Sequence, residues 1–224
     1  PHHQRPVPIE KRLRQPPRIM LGAMACIIQR HDRSPRYRDT LKRTKMEKLL
    51  HLLESETGLD LGREPEKEAY GPADNLLREV ATRQAAVQGY FEEVEETRPP
   101  RGEAPYPIRY YRFEPRENFR ELTQEFTEAA GDQLSHIHQL LDHFLPFASQ
   151  QVEIRVTVYA AWNNLLLEGI PAPDDQQIIR AAREEWHPEK LRYPVAEFQT
   201  ALDWLRTTSL VPKGKGKLVV PVAV

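Results

Sequence analysis

Cysteine is almost absent. Cys26 is the single thiol in 224 residues, which excludes an internal disulfide framework and a thiolate zinc site and makes a reducing compartment, the cytoplasm, the default expectation. Membrane-length apolar runs are missing as well: the stretch IMLGAMACII from Ile19 to Ile28 falls well short of the ~20 residues that a spanning helix needs, so no membrane partner is expected. Arg12, Arg14 and Arg18 precede this run and Ala23-Met24-Ala25 leads into Cys26, as in a secretory or lipoprotein signal. Yet Ile19, Met20, Ala23, Met24, Ile27 and Ile28 fall on one helical stripe, which suits a packed helix better.

Catalytic signatures are also lacking. There is no G-x-S-x-G elbow, no Cys/His nucleophile pattern and no HExxH pair. KGKGK, Lys213 to Lys217, looks like a phosphate cradle, but a P-loop needs GxxxxGK followed by Ser or Thr, and that spacing is absent. His136, His138 and His143 with Asp142 form the one histidine cluster, and His136 and His138 point to different faces of a helix, so no metal is expected. No catalytic residue and no cofactor is assigned, and an enzyme ranks last among the function classes.

What is present is charge, unevenly placed. Residues 1 to 48 hold 13 Lys/Arg against 4 Asp/Glu and the other 176 hold 19 against 29, leaving +9 and −10 within an overall −1. A basic arm on an acidic body points either to a polyanion such as double-stranded DNA or to an arm docked on its own body or a neighbouring subunit. The candidate phosphate contacts are Lys11, Arg12 and Arg14 on the arm, Lys42, Arg43, Lys45 and Lys48 at a helix start, and Lys213, Lys215 and Lys217 in the C-terminal loop. A solvated surface is the competing reading for each group.

Apolar periodicity predicts a mainly α chain of the α+β kind. Residues 1–17, rich in proline, read as an arm or linker. Residues 18–114 read as a winged-helix-like domain: a helix to about His31, a second opened by a Thr44/Glu47 capping box and closed by Gly58, a third opened by Gly71-Pro72, then a hairpin of YFEEVEE and YPIRYYRF with a long tip. Residues 115–148 read as connecting helices broken at Gly131, whose stripe leaves a pairing surface, within the chain or between chains, open. Residues 149–224 read as a second winged-helix-like unit.

Within that unit VEIRVTVY alternates like a strand, but the longer pattern predicts a helix from about Gln150 to Glu168, with Glu153, Thr157, Asn164 and Glu168 on a wet stripe. Trp162 and Trp186 read as core. Asn163 is expected to tie down a nearby loop. Asp174 with Gln177 opens the next helix and Pro194 the one after, followed by two β-prone pieces around the Lys/Gly loop.

The segments RTKMEKLLHLLE (43–54), EAYGPAD (68–74), VYAAWNNLLLEG, EEWHPEK and LDWLRTTSLVPKGKG together resemble a helical extension of bacterial restriction-modification subunits, chiefly type I specificity subunits. The first part is more loosely similar to the Panacea antitoxin domain. The resemblance implies a non-catalytic part of a DNA-modifying or DNA-defence assembly, with its subunits as partners. Alternatives are a protein-docking or oligomerisation module without DNA binding and an antitoxin-like regulator.

Overall fold

Pro17, extended at φ −67°, ψ 153°, ends the arm and launches α1 (Arg18–His31). The apolar stripe read from sequence is only part of its buried surface: nearly every residue from Met20 to His31 is buried. At Gly22 an added Cβ would lie 2.8 Å from Phe126 Cβ, so glycine lets a later helix pack against this one. In this computed structural model residues 14–99 and 108–222 are described, the side chains of 98 and 108–110 excepted. The arm residues Lys11 and Arg12 lie outside them.

A short turn, α2 (Pro35–Arg38), leads to α3 (Arg43–Thr57), which stops at Gly58 in the left-handed conformation at φ 75°. The expected capping box is not formed. Lys42 is the N-cap, and no side chain caps the helix. Glu47 instead turns inward to two arginines, a stronger charge-assisted use of the carboxylate than a backbone cap.

Gly71-Pro72 does not open a helix. It belongs to an antiparallel ribbon of β1 (Glu66–Glu68) and β2 (Gly71–Ala73), with Glu68 opposite Gly71. Gly71 holds φ 103°, outside helical geometry. The helix begins later, as α4 (Asn75–Val87), because Asp74 supplies the cap, Oδ1 accepting from Leu77 N at 3.2 Å. The expected hairpin follows as β3 (Phe91–Arg98) and β4 (Ile108–Pro115), paired from Phe91 opposite Pro115 to Arg98 opposite Ile108.

The rest is helical: α5 (Phe119–Ala130), a 3-10 turn at Gly131–Gln133, α6 (Leu134–Phe144), α7 (Ser149–Leu167), α8 (Asp175–Arg183), a second 3-10 turn at Pro188–Arg192, and α9 (Val195–Thr207). α8 starts with the expected reciprocal box, Asp174 Oδ1 accepting from Gln177 N at 2.8 Å and Gln177 Oε1 from Asp174 N at 2.9 Å. VEIRVTVY is indeed inside a helix. Its β-branched residues are buried from several sides at once, which outweighs their local strand preference.

The described residues are mainly helical, with two small two-stranded antiparallel sheets. One hydrophobic cluster runs from Met20 to Val219, and α7 lies in it against α3, α8, α9 and the ribbon. Residues 211–222 form no hairpin. They run as an irregular strap whose Val220 bridges Glu66 in parallel, with Lys67 N donating to Val220 O at 2.7 Å. Among the described residues no helix is long and apolar enough to cross a membrane.

Candidate functional site

The wet stripe expected on α7 is in fact buried. Glu153, Thr157 and Asn164 are 6%, 0% and 5% exposed, because the ribbon and strap cover that face; only Glu168 stays outside. α3 faces them across the same seam with its own buried polar side chains: Lys48, His51, Glu54 and Ser55. Burying polar groups on this scale is costly unless they are paired, and most of the charged ones here are, although His51 and Ser55 have no hydrogen-bond partner among the described residues.

Arg63, fully buried, is the hub of that pairing. Its guanidinium donates to Glu47 Oε2 and Glu54 Oε2, both at 2.7 Å. Glu47 also accepts from Asp74 N at 3.1 Å and faces Arg78 Nε at 3.3 Å. Burial pushes the Glu54 carboxyl up, against the opposing pull of Arg63. Across the seam Glu153 pairs with buried Lys190 at 2.7 Å, and Tyr159 donates to Glu56 at 2.5 Å.

Lys48 donates to Pro72 O at 2.7 Å and its ammonium lies 4.8 Å from the centre of the Tyr70 ring. Burial lowers its pKa to about 7, against the pull of Glu47. An amine so tuned could act as a base or nucleophile, but at 0% exposure it meets no solute and serves as a donor that pins the ribbon to α3. Gly71 is required there, since a Cβ would sit 2.7 Å from Thr157 Oγ1 and 3.0 Å from Lys48 Cε.

Asn163 and Asn164 hold the strap. Asn163 Nδ2 donates to Lys215 O at 2.8 Å while its Oδ1 accepts from Gly214 N at 3.0 Å. The loop that Asn163 was expected to tie is therefore the Lys/Gly loop itself. Trp186 is buried, its indole N–H donating to Glu68 O at 3.2 Å, and Trp162 is 9% exposed beneath Arg206.

The eight candidate phosphate contacts that lie among the described residues do not form one patch. Lys45 points inward, donating to Thr40 Oγ1, Leu145 O and Phe147 O, and Lys48 lies in the seam. Both were expected on a solvated or phosphate-facing surface. The sequence offered no warning, because an apolar stripe says nothing about which flanking lysines find carbonyls. Arg14 meets Asp74 at 2.8 Å, Arg43 grips Glu93 with two 2.6 Å bonds beneath the Tyr111 ring, and Lys42 is half-buried and engaged within the chain. Lys217 donates to Asp60 Oδ1 and Arg63 O. Lys213 and Lys215 are exposed.

The histidine cluster disperses too. His136 lies 3.2 Å from Glu56, Asp142 binds Arg30, and His143 stands edge-on to Trp204. Among the described residues no three His, Cys, Asp or Glu side chains converge as a metal site would require. Arg63 and Lys190 escaped notice in the sequence, and Glu153 was read there as part of a wet stripe. One signal was available: Glu47 and Glu54 stand seven residues apart, on the same face of a helix whose neighbours are apolar. The chain matches no known family model, no characterised protein and no solved structure.

Proposed function

We propose that the chain is a non-catalytic accessory module that docks on a partner protein in a restriction-modification or phage-defence assembly. The observation that carries this reading is where the basic residues go. Arg14, Arg18, Arg30, Arg38 and Arg43 each meet an acid of the same chain, and Lys45 and Lys48 are buried. Duplex binders need free cations, since backbone affinity comes from neutralising phosphates and releasing their counterions. Mutually paired charges, with Leu191, Val195, Val211, Leu218 and Val220 exposed, suit a protein surface better.

A second reading, contact with the DNA backbone, is favoured by exposed Lys213 and Lys215 on a strap held from below. The order of α1, α3 and α4 before the β3/β4 hairpin supports a winged-helix-like unit over 18–114, and the strap takes the wing position of a second unit over 149–224. The test is co-expression with the subunits encoded beside this chain, then size-exclusion chromatography with light scattering and a duplex-retention assay at physiological salt. A stable heteromeric complex without DNA retention is expected. Retention that weakens steeply with salt and is lost in Lys213→Ala/Lys215→Ala would replace docking with backbone binding.

A further inference from the structure

Arg155, on α7, is out of keeping with the other arginines. Its guanidinium packs against both Phe147 and Trp204, with the carbon centre 4.2 Å and 4.9 Å from the two ring centroids. Phe144 and Phe147 pack edge-on against the same indole at 5.2 Å and 5.4 Å, so the rings beside the guanidinium are themselves held in an aromatic cluster. One nitrogen donates to Gln151 O at 3.0 Å. Nε is buried with no hydrogen-bond partner, and no carboxylate lies within ion-pairing distance among the described residues. Burial lowers its pKa, and no charged neighbour opposes that change.

This unpaired cation lines a surface cleft of about 230 Å³ between α7 and α9. Ile154, Ala196 and Ala201 supply apolar walls, and Gln151, Glu197 and Thr200 the polar ones. Val195, which precedes the lining residue Ala196 at the start of α9, is exposed. A planar guanidinium packed against two rings, with N–H groups left over from its one bond to Gln151 O, matches the fork of a carboxylate. Glu197 in the same wall disfavours a dianion such as phosphate, while an amide N–H beside the entering carboxylate gives Glu197 a donor to accept from.

We propose that this cleft is a receptor for a carboxylate, presented by an acidic side chain of the docking partner. The inference rests on the docking reading and adds the chemistry of one contact. Because contacts with the two rings and the bond to Gln151 O already hold the guanidinium, binding loses little side-chain freedom.

The experiment uses the full chain labelled with ¹⁵N-arginine. Arg155 Nε–H is assigned by its loss in Arg155→Lys and titrated with acetate, with phosphate, and with a short blocked Leu-Glu-Leu peptide and its Leu-Gln-Leu counterpart, with Trp204 fluorescence as a second readout. A saturable change with acetate and the Glu peptide is expected, at least about tenfold weaker for the Gln peptide and in Arg155→Lys, which keeps the charge and loses the fork. No change at millimolar Glu peptide, equal response to both peptides, or response to phosphate alone overturns the proposal. Arg155→Lys that still folds, by its circular dichroism, and still assembles normally with the partner places docking elsewhere and leaves the docking reading standing.

Discussion

Asn164 treats Val219 as a neighbouring strand would. Its Nδ2 donates to Val219 O at 2.8 Å and its Oδ1 accepts from Val219 N at 3.0 Å, both bonds buried. The next residue, Val220, has its own backbone groups taken by Pro65 O and Lys67 N. Two residues of the strap are thereby held from opposite sides, by a helix side chain and by a ribbon.

Asn164→Ala leaves both Val219 backbone groups without partners, and each such buried group costs roughly 1–3 kcal/mol. The urea midpoint should fall, and the Val219 amide should lose most of its hydrogen-exchange protection while amides of α5 keep theirs. Unchanged protection at Val219 would show that the clamp does not hold the strap.

Arg63 offers a sharper contrast. Arg63→Met strands two buried carboxylates and should destabilise the chain by about 3–5 kcal/mol, whereas replacing Glu47, Glu54 and Arg63 together by Met or Leu removes the charges as a set and should be much milder. Denaturant unfolding of the two variants checks the order. Equal losses would mean that packing at these positions outweighs their charge.

Acid should weaken the fold through histidines kept neutral. Burial, and then the Lys45 charge, holds His31 down at about 3 against 6.5 for the free side chain, and burial lowers His51 in the same direction. The unfolded chain therefore binds more protons between those values, so stability falls as pH drops through that window. Lys45 and Lys48, each lowered to about 7 by burial, give the same sign at higher pH: stability rises as pH climbs above 7. Both His51 ring nitrogens lack partners among the described residues, so His51→Leu should shrink the acid loss and raise stability at neutral pH by roughly 1–3 kcal/mol. Thermal unfolding across pH 4 to 9 is the measurement, and an unchanged acid limb in His51→Leu would refute the assignment.

The strap lysines should separate by what they touch. Lys213→Ala with Lys215→Ala should leave stability within about 0.5 kcal/mol. Lys217→Ala, which loses an exposed pair with Asp60 and a bond to Arg63 O, should lower it by up to ~1 kcal/mol. Chemical denaturation resolves the two, and an equal effect of both changes would contradict the bonding.

The helices were legible because their signals are local. Gly58, the Asp174/Gln177 box and the apolar spacing of α6 and α9 depend on a few adjacent residues, and each element lies where those residues indicate. The ribbon was not, since EKE and GPA have poor strand composition and are pinned by Lys48 from α3, 24 residues before Pro72. The polarity of the α7 stripe misled for a similar reason. Glu153, Thr157 and Asn164 resemble a solvated face until Lys190, Gly71 and Val219 are brought against them. Arg155 could not be picked from among the arginines by sequence, because what distinguishes it is partial burial against two aromatic rings with no acid beside it.

Cys26 has a practical consequence. The thiol is 3% exposed on α1, and burial raises its pKa to about 12. A disulfide reagent will meet a reactive thiolate there only when α1 swings away from its neighbours, so the rate of modification at low reagent excess is a clock for that opening, read from one native atom without any added label.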